Sequence, residues 1–139
     1  MAEAFEKTDK DSTIIAAIAA LFGGIIAILI YFLKKDDRFV RFYALQEVVF
    51  SIAAGLAMFA LYMVVFGLSF ALQLIGLAGT AGGNASVGLL AGVLMIVPFA
   101  IIGMAFLAYF AVKIFAVYNA FTGKTWEIPV VGKFVKQYI

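Results

Sequence analysis

Apolar residues fill positions 13–33 without a break, return from 48 to 75, and return again from 89 to 117, where Lys113 is the one charge. Between these runs lie a charged stretch at 34–47 and an uncharged, glycine-rich one at 76–88. A helix rises about 1.5 Å per residue, so about 20 apolar residues cross a hydrocarbon core of about 30 Å. Each run is long enough. The pattern predicts an all-α integral membrane bundle with three transmembrane helices, at 13–33, 44–75 and 89–117, within a membrane domain at 13–117. A polar tail precedes it at 1–12, and an interfacial tail follows at 118–139. The second run exceeds the hydrocarbon core, so it is expected to tilt. The first is read as a retained span and not as a secretory leader: it is longer than a leader's apolar stretch, follows a net acidic segment, and is not followed by a small-x-small cleavage site.

Finer signals place the ends of these elements. Asp36 or Asp37 is expected to cap the second helix, because a carboxylate accepts the free N–H groups of a first turn. Five glycines among residues 76–88 predict a loop there, with Asn84 or Ser86 capping the third helix. Pro98 removes one backbone hydrogen bond and is expected to kink that helix. After Pro129, the spacing of Val130, Val131, Phe134, Val135, Tyr138 and Ile139 makes one apolar helix face, opposite Lys133, Lys136 and Gln137. This predicts an amphipathic helix lying on the membrane.

Composition narrows the class. Hydrophobic residues make up 66% of the 139 and charged ones 13%. Soluble domains hold about 45–50% and about 25%, and a globule this small cannot hide such an excess from water. A soluble domain, a disordered chain and a nucleic-acid module are thereby excluded. The chain has no Cys and no His, so disulfides, Cys/His metal sites, thiol nucleophiles and histidine acid–base chemistry are out of reach. No catalytic, cofactor-binding or metal-binding constellation is visible, and the chain is read as non-enzymatic with no cofactor. Net charge is +2. Lys and Arg number two in the N-terminal tail, four in the first loop, none in the second loop and four from Lys113 onward. The positive-inside rule then predicts a cell-membrane protein with its first loop and C-terminus in the cytoplasm, and its N-terminus and glycine loop outside.

The spans carry few polar groups. Folding the second and third helices back on each other near residue 80 brings Glu47 level with Lys113, which predicts an ion pair near the cytoplasmic interface. An ionisable group at the edge of the apolar zone is costly unless paired. Ser51, Gly55, Tyr62, Ser69 and Gln73 follow Glu47 along one helix face as a polar stripe. Small residues at Ala19/Gly23, Ala20/Gly24 and Gly88/Gly92 offer close helix contact, within one chain or between two.

Two motifs go beyond pattern. Phe39-Val40-Arg41-Phe42-Tyr43-Ala44-Leu45-Gln46 resembles the F-V-R-F-H-A-x-Q element of a family of small bacterial and archaeal membrane proteins of unknown function. Gly123-Lys124-Thr125-Trp126-Glu127-Ile128-Pro129-Val130-Val131-Gly132 resembles that family's G-x-x-Y-x-I-P-x-x-G tail. The family is similar to the Tic-twenty component of the chloroplast inner-envelope import machinery, and the resemblance covers residues 13–135. Tyr43 stands where histidine is usual and Trp126 where tyrosine is usual. The resemblance implies a role related to protein translocation.

Both motifs are expected at the cytoplasmic interface and mix aromatics with cations. They are therefore expected to pack together as a collar of Arg38, Phe39, Arg41, Phe42, Tyr43, Gln46, Gly123, Trp126, Pro129 and Gly132. Arg38 and Arg41 are its expected contacts with lipid phosphate or a partner. The first functional reading is a non-enzymatic scaffold or oligomeric translocation element, with anionic lipids at the cytoplasmic face and a second copy or another membrane protein as partners, and with no nucleic acid. The alternatives are a small passive transporter or channel using the polar stripe, and a membrane-shaping protein.

Overall fold

In a computed structural model, residues 9–129 and 131–138 are described. Most of the polar tail expected at 1–12, and Val130 and Ile139 of the expected terminal helix, lie outside the described residues. Among the described residues every regular element is helical: α1 (Lys10–Phe22), α2 (Gly24–Leu33), α3 (Arg38–Ala81), α4 (Ala85–Leu94), α5 (Ile96–Phe121) and α6 (Val131–Val135), which ends in a 3-10 turn (Lys136–Tyr138).

Two stretches are long and apolar enough to cross a membrane, α3 and the combined α4–α5 at Ala85–Phe121, with mean hydropathies of 2.4 and 2.5. Only 6% and 11% of these apolar windows are buried inside the protein. The core helix of a soluble protein would be mostly buried, so oil and not protein is the solvent of these surfaces.

The first apolar run does not form one helix. It breaks at Gly23 (φ 57°, ψ −160°), and Gly24 also has positive φ (48°). Both residues occupy the left-handed region that side chains disfavour. The result is a 13-residue helix followed by a 10-residue one. Each is shorter than a crossing requires.

The glycine-rich stretch differs from its expectation in the opposite sense. Helix continues through Gly76 and Gly79 to Ala81 and resumes at Ala85, so the connection shrinks to Gly82-Gly83-Asn84. In an apolar solvent an unpaired backbone group costs far more than glycine's poor helix propensity, about 1 kcal/mol. The glycines provide closeness instead. A Cβ on Gly79 would lie 2.5 Å from a Val87 methyl, one on Gly88 would strike the Thr80 methyl, and one on Gly76 would meet Ala91 at 3.1 Å. Gly92 faces open space. Gly79→Ala is therefore expected to destabilise the protein by about 1–3 kcal/mol through overpacking, whereas Gly92→Ala leaves stability unchanged or raised. Thermal unfolding of the detergent-solubilised variants checks this.

Caps and kinks follow local chemistry. Asp37 accepts the Val40 N–H at 3.1 Å and caps α3. Asn84 sits at the N-cap of α4, where its carbonyl and not its side chain accepts, from Val87 N–H at 3.2 Å. The interruption near Pro98 falls at Met95, beside Leu94, whose carbonyl the proline ring would crowd in a straight helix.

The chain divides into two compact units, Met1–Gly55 with Tyr109–Ile139, and Leu56–Ala108. The core of the first gathers Ala16, Ala17 and Ala20 of α1, Phe39, Val40, Phe42 and Tyr43 of α3, Ala116 and Ala120 of α5, and Val135 of α6. The alanines of α1 present a nearly flat face, which brings its backbone close to the aromatic residues. The amphipathic terminal helix expected on the membrane is five residues long, followed by the 3-10 turn, and docks by Val135, with Val131 at the margin. Phe134 and Tyr138 remain exposed, their rings 5.1 Å apart.

Candidate functional site

Within the first unit, the buried Gln46, Glu47 and Lys113 belong to two neighbouring layers. The shallower layer joins the two motifs. Tyr43, on the first turns of α3, donates its hydroxyl to the Lys124 carbonyl at 2.6 Å and accepts the Trp126 N–H at 3.1 Å. Gln46, one turn further on, donates from Nε2 to the Trp126 carbonyl at 3.2 Å and accepts the Ile128 N–H on Oε1 at 3.3 Å. Residues 124–128 are not helical and lack regular partners of their own. Two side chains of α3 therefore stand in for a neighbouring strand and satisfy four backbone groups that would otherwise be unpaired.

Close packing completes this layer. A Cβ on Gly132 would fall 2.6 Å from Glu127 Cβ and 3.0 Å from Gln46 Oε1, so only glycine lets α6 fold back over the segment. Trp126 sets its edge on Phe115 at 4.9 Å. Phe39 and Phe42 flank Tyr43 at 5.2 and 5.5 Å. Gly123 (φ 70°) ends α5, its N–H bonded to Ala120 O, and Pro129 is exposed just before α6. Glu127 and Lys136 form a half-exposed pair at 2.5 Å, which contributes little in water.

The deeper layer is ionic. Lys113 of α5 pairs with Glu47 Oε1, and Ser51 donates to the same oxygen at 3.1 Å. Glu47 is 2% exposed and Lys113 8%. Lys113 also sits 5.8 Å from the Tyr109 ring centre, and Tyr109 stacks flat on Phe50 at 5.6 Å. Gly23, between α1 and α2, closes the layer: a Cβ there would lie 2.6 Å from Glu47 Oε1, 2.9 Å from Lys113 Nζ and 3.0 Å from Ser51 Oγ.

Of the residues singled out from sequence, the structure brings Glu47, Lys113 and Ser51 together in this layer, and Phe39, Phe42, Tyr43, Gln46, Trp126 and Gly132 in the shallower one. Arg38 is exposed. Arg41 departs from its expected outward role. Its guanidinium donates to the Tyr31 hydroxyl at 2.9 Å and the Lys35 carbonyl at 3.4 Å, and it lies 4.8 Å from the Tyr31 ring centre. These contacts fasten the first turn, while its Nε is buried without a hydrogen-bond partner. The rest of the stripe does not converge. Gly55 faces open space, Tyr62 is exposed beside Phe66, Ser69 is half-buried, and Gln73 lines a groove of the second unit with Gly76 and Gly88. Sequence reasoning overlooked Tyr31, Tyr109, and the buried Asn119, which donates to the Phe115 carbonyl at 2.7 Å. Only their aromatic or polar character within an apolar run could have marked them.

Tyr43→Phe removes one donor and one acceptor together, leaving Lys124 O and Trp126 N–H unpaired. A loss of about 1–3 kcal/mol is expected, with faster amide exchange and proteolysis confined to residues 124–128.

No solved structure matches this chain. A UPF0132 membrane protein of Methanocaldococcus jannaschii is 28% identical over 130 residues, covering 92% of this chain and 88% of the relative. Residues 11–135, which include both layers and both motifs, match MamF/MmsF, the magnetosome magnetite crystal formation protein family. The chain is a membrane protein that belongs to this family.

Proposed function

We propose that the protein is a non-enzymatic membrane scaffold. Apolar helices hold in the bilayer a folded collar that lies at the cytoplasmic face and there gathers anionic headgroups and neighbouring membrane proteins, further copies of itself included. The observation that carries this reading is the destination of the motif side chains. Tyr43, Gln46, Glu47 and Lys113 are bonded to one another or to the chain's own backbone, and Arg41 to the Tyr31 hydroxyl and the Lys35 carbonyl, so the motifs build a platform. What they leave facing outward is a set of exposed cations, Lys34, Lys35, Arg38, Lys124 and Lys133, suited to lipid phosphate.

The family description, magnetosome magnetite crystal formation, and the motif resemblance to an import component agree with a part played within a membrane assembly. For this chain the proposed share of such a role is organisation of the membrane, with translocation-related assemblies as the first class of client. Crosslinking in native membranes, with identification of what co-purifies, tests it. Discrete products with a second copy or a membrane neighbour are expected. A protein that crosslinks to nothing, yet conducts ions or binds a solute stoichiometrically after reconstitution, overturns the scaffold and favours a transporter.

A further inference from the structure

Three contacts within the first unit fix the path of α1 and α2. At the start of α1, the Thr13 methyl lies 3.6 Å from where a Cβ on Gly123 would stand, just past the end of α5. At the end of α2, the Tyr31 hydroxyl is bonded to Arg41, in the first turn of α3. Between them, Gly23 rests on Glu47, Ser51 and Lys113. Along α3, Arg41 precedes Ser51 by ten residues, or about 15 Å, and along α5, Lys113 precedes Gly123 by the same amount. Both outer ends of the α1–α2 pair thus lie level with the shallower layer, and their junction lies deeper. A straight helix over 13–33 would instead carry Thr13 about 15 Å beyond Gly23 on the far side, out of reach of Gly123.

We infer that α1 and α2 form a re-entrant hairpin that enters and leaves by one membrane face. The chain then crosses the bilayer twice, with its N-terminal residues on the same face as the first turn and the C-terminal tail. At the tip, Gly23 meets the requirement for irregular backbone at membrane depth, which is burial in protein with its groups paired, while Gly24 beside it is exposed. Gly23 is buried, its N–H donates to Ala19 O at 3.0 Å, and its carbonyl accepts from Ala27 N–H at 3.1 Å.

The charge distribution supports the same path independently. Lys10 at the start of α1 and the cations of the first turn and C-terminal tail, Lys34, Lys35, Arg38, Arg41, Lys124, Lys133 and Lys136, then belong to one face, and residues 76–88 on the other carry no Lys or Arg. A three-crossing chain would send Lys10 across, against the positive-inside bias. The expected orientation of the C-terminus is unchanged by this; that of the N-terminus is reversed.

The chain has no cysteine, so single-cysteine variants report without a background. Asp11→Cys, Lys35→Cys, Lys124→Cys and Asn84→Cys all replace exposed residues. In sealed vesicles treated with a membrane-impermeant maleimide, D11C is expected to react from the same side as K35C and K124C, and N84C from the opposite side. Reaction of D11C from the side of N84C, or from both sides, overturns the hairpin. A second readout does not depend on vesicle sidedness. The double variant Thr13→Cys/Thr122→Cys is expected to give an intramolecular product with a short bis-maleimide, and failure to form it in a protein that unfolds cooperatively overturns the hairpin equally.

Discussion

Lys113→Met will lower the stability of the detergent-solubilised protein by about 3–5 kcal/mol, the cost of leaving a buried charge without its partner. Glu47 would retain only the Ser51 hydroxyl, at 3.1 Å, in a pocket where it is 2% exposed. The double variant Glu47→Leu/Lys113→Met removes both charges and is expected to recover most of the loss, since a buried pair replaced by apolar residues of similar volume is often neutral or better. The exchanged pair, Glu47→Lys with Lys113→Glu, should recover part of it. Thermal melts of the four proteins decide the matter. A double variant as unstable as Lys113→Met alone would mean that the two residues are not coupled and that the lysine matters for another reason.

Gly23→Ala carries the second large effect, for two reasons that add. The new methyl would lie 2.6 Å from Glu47 Oε1 and 2.9 Å from Lys113 Nζ, and it would occupy a left-handed conformation at φ 57°. With ψ at −160° this is backbone essentially reserved for glycine and costs alanine about 1–3 kcal/mol, and overpacking typically adds about 1–3 kcal/mol. Gly55→Ala is the matched control. It lies on α3 in open space, and alanine is the better helix former by about 0.5–1 kcal/mol, so a small gain is expected there. Equal melting points for G23A and G55A would show that the hairpin tip does not rest on the ion pair.

The parts of this fold that sequence could reveal are those set by local pattern or by simple register. Asp37 is a legible cap because its carboxylate answers N–H groups three residues away. Glu47 and Lys113 could be matched because each lies the same distance along the chain from the turn near residue 80. The break at Gly23 was not legible, because hydropathy measures preference for oil and has no direction. Residues 13–33 are equally apolar whether they traverse the bilayer or turn back within it, and only the Gly23-Gly24 doublet marks the difference. The glycine-rich stretch misled for a related reason. Turn propensities describe peptides in water, whereas Gly76, Gly79 and Gly88 sit in helices where their lack of a side chain admits a neighbour. Arg41 looked outward-facing because the pattern shows its helix face but not Tyr31 beside it. The motif resemblance marked both halves of the collar, yet the bonds from Tyr43 and Gln46 to residues 124–128 join points some eighty positions apart, beyond any local pattern.

Those bonds also set an order of assembly. The segment that Tyr43 and Gln46 grip follows them by some eighty positions, and chains emerge from the ribosome N-terminal end first. Until that segment is made the phenol and the amide wait without their partners, and the helices precede the latch that joins them. A premature stop after residue 123 would remove the gripped segment and leave the protein permanently in that unlatched, half-made condition, the form a quality-control protease is best placed to recognise.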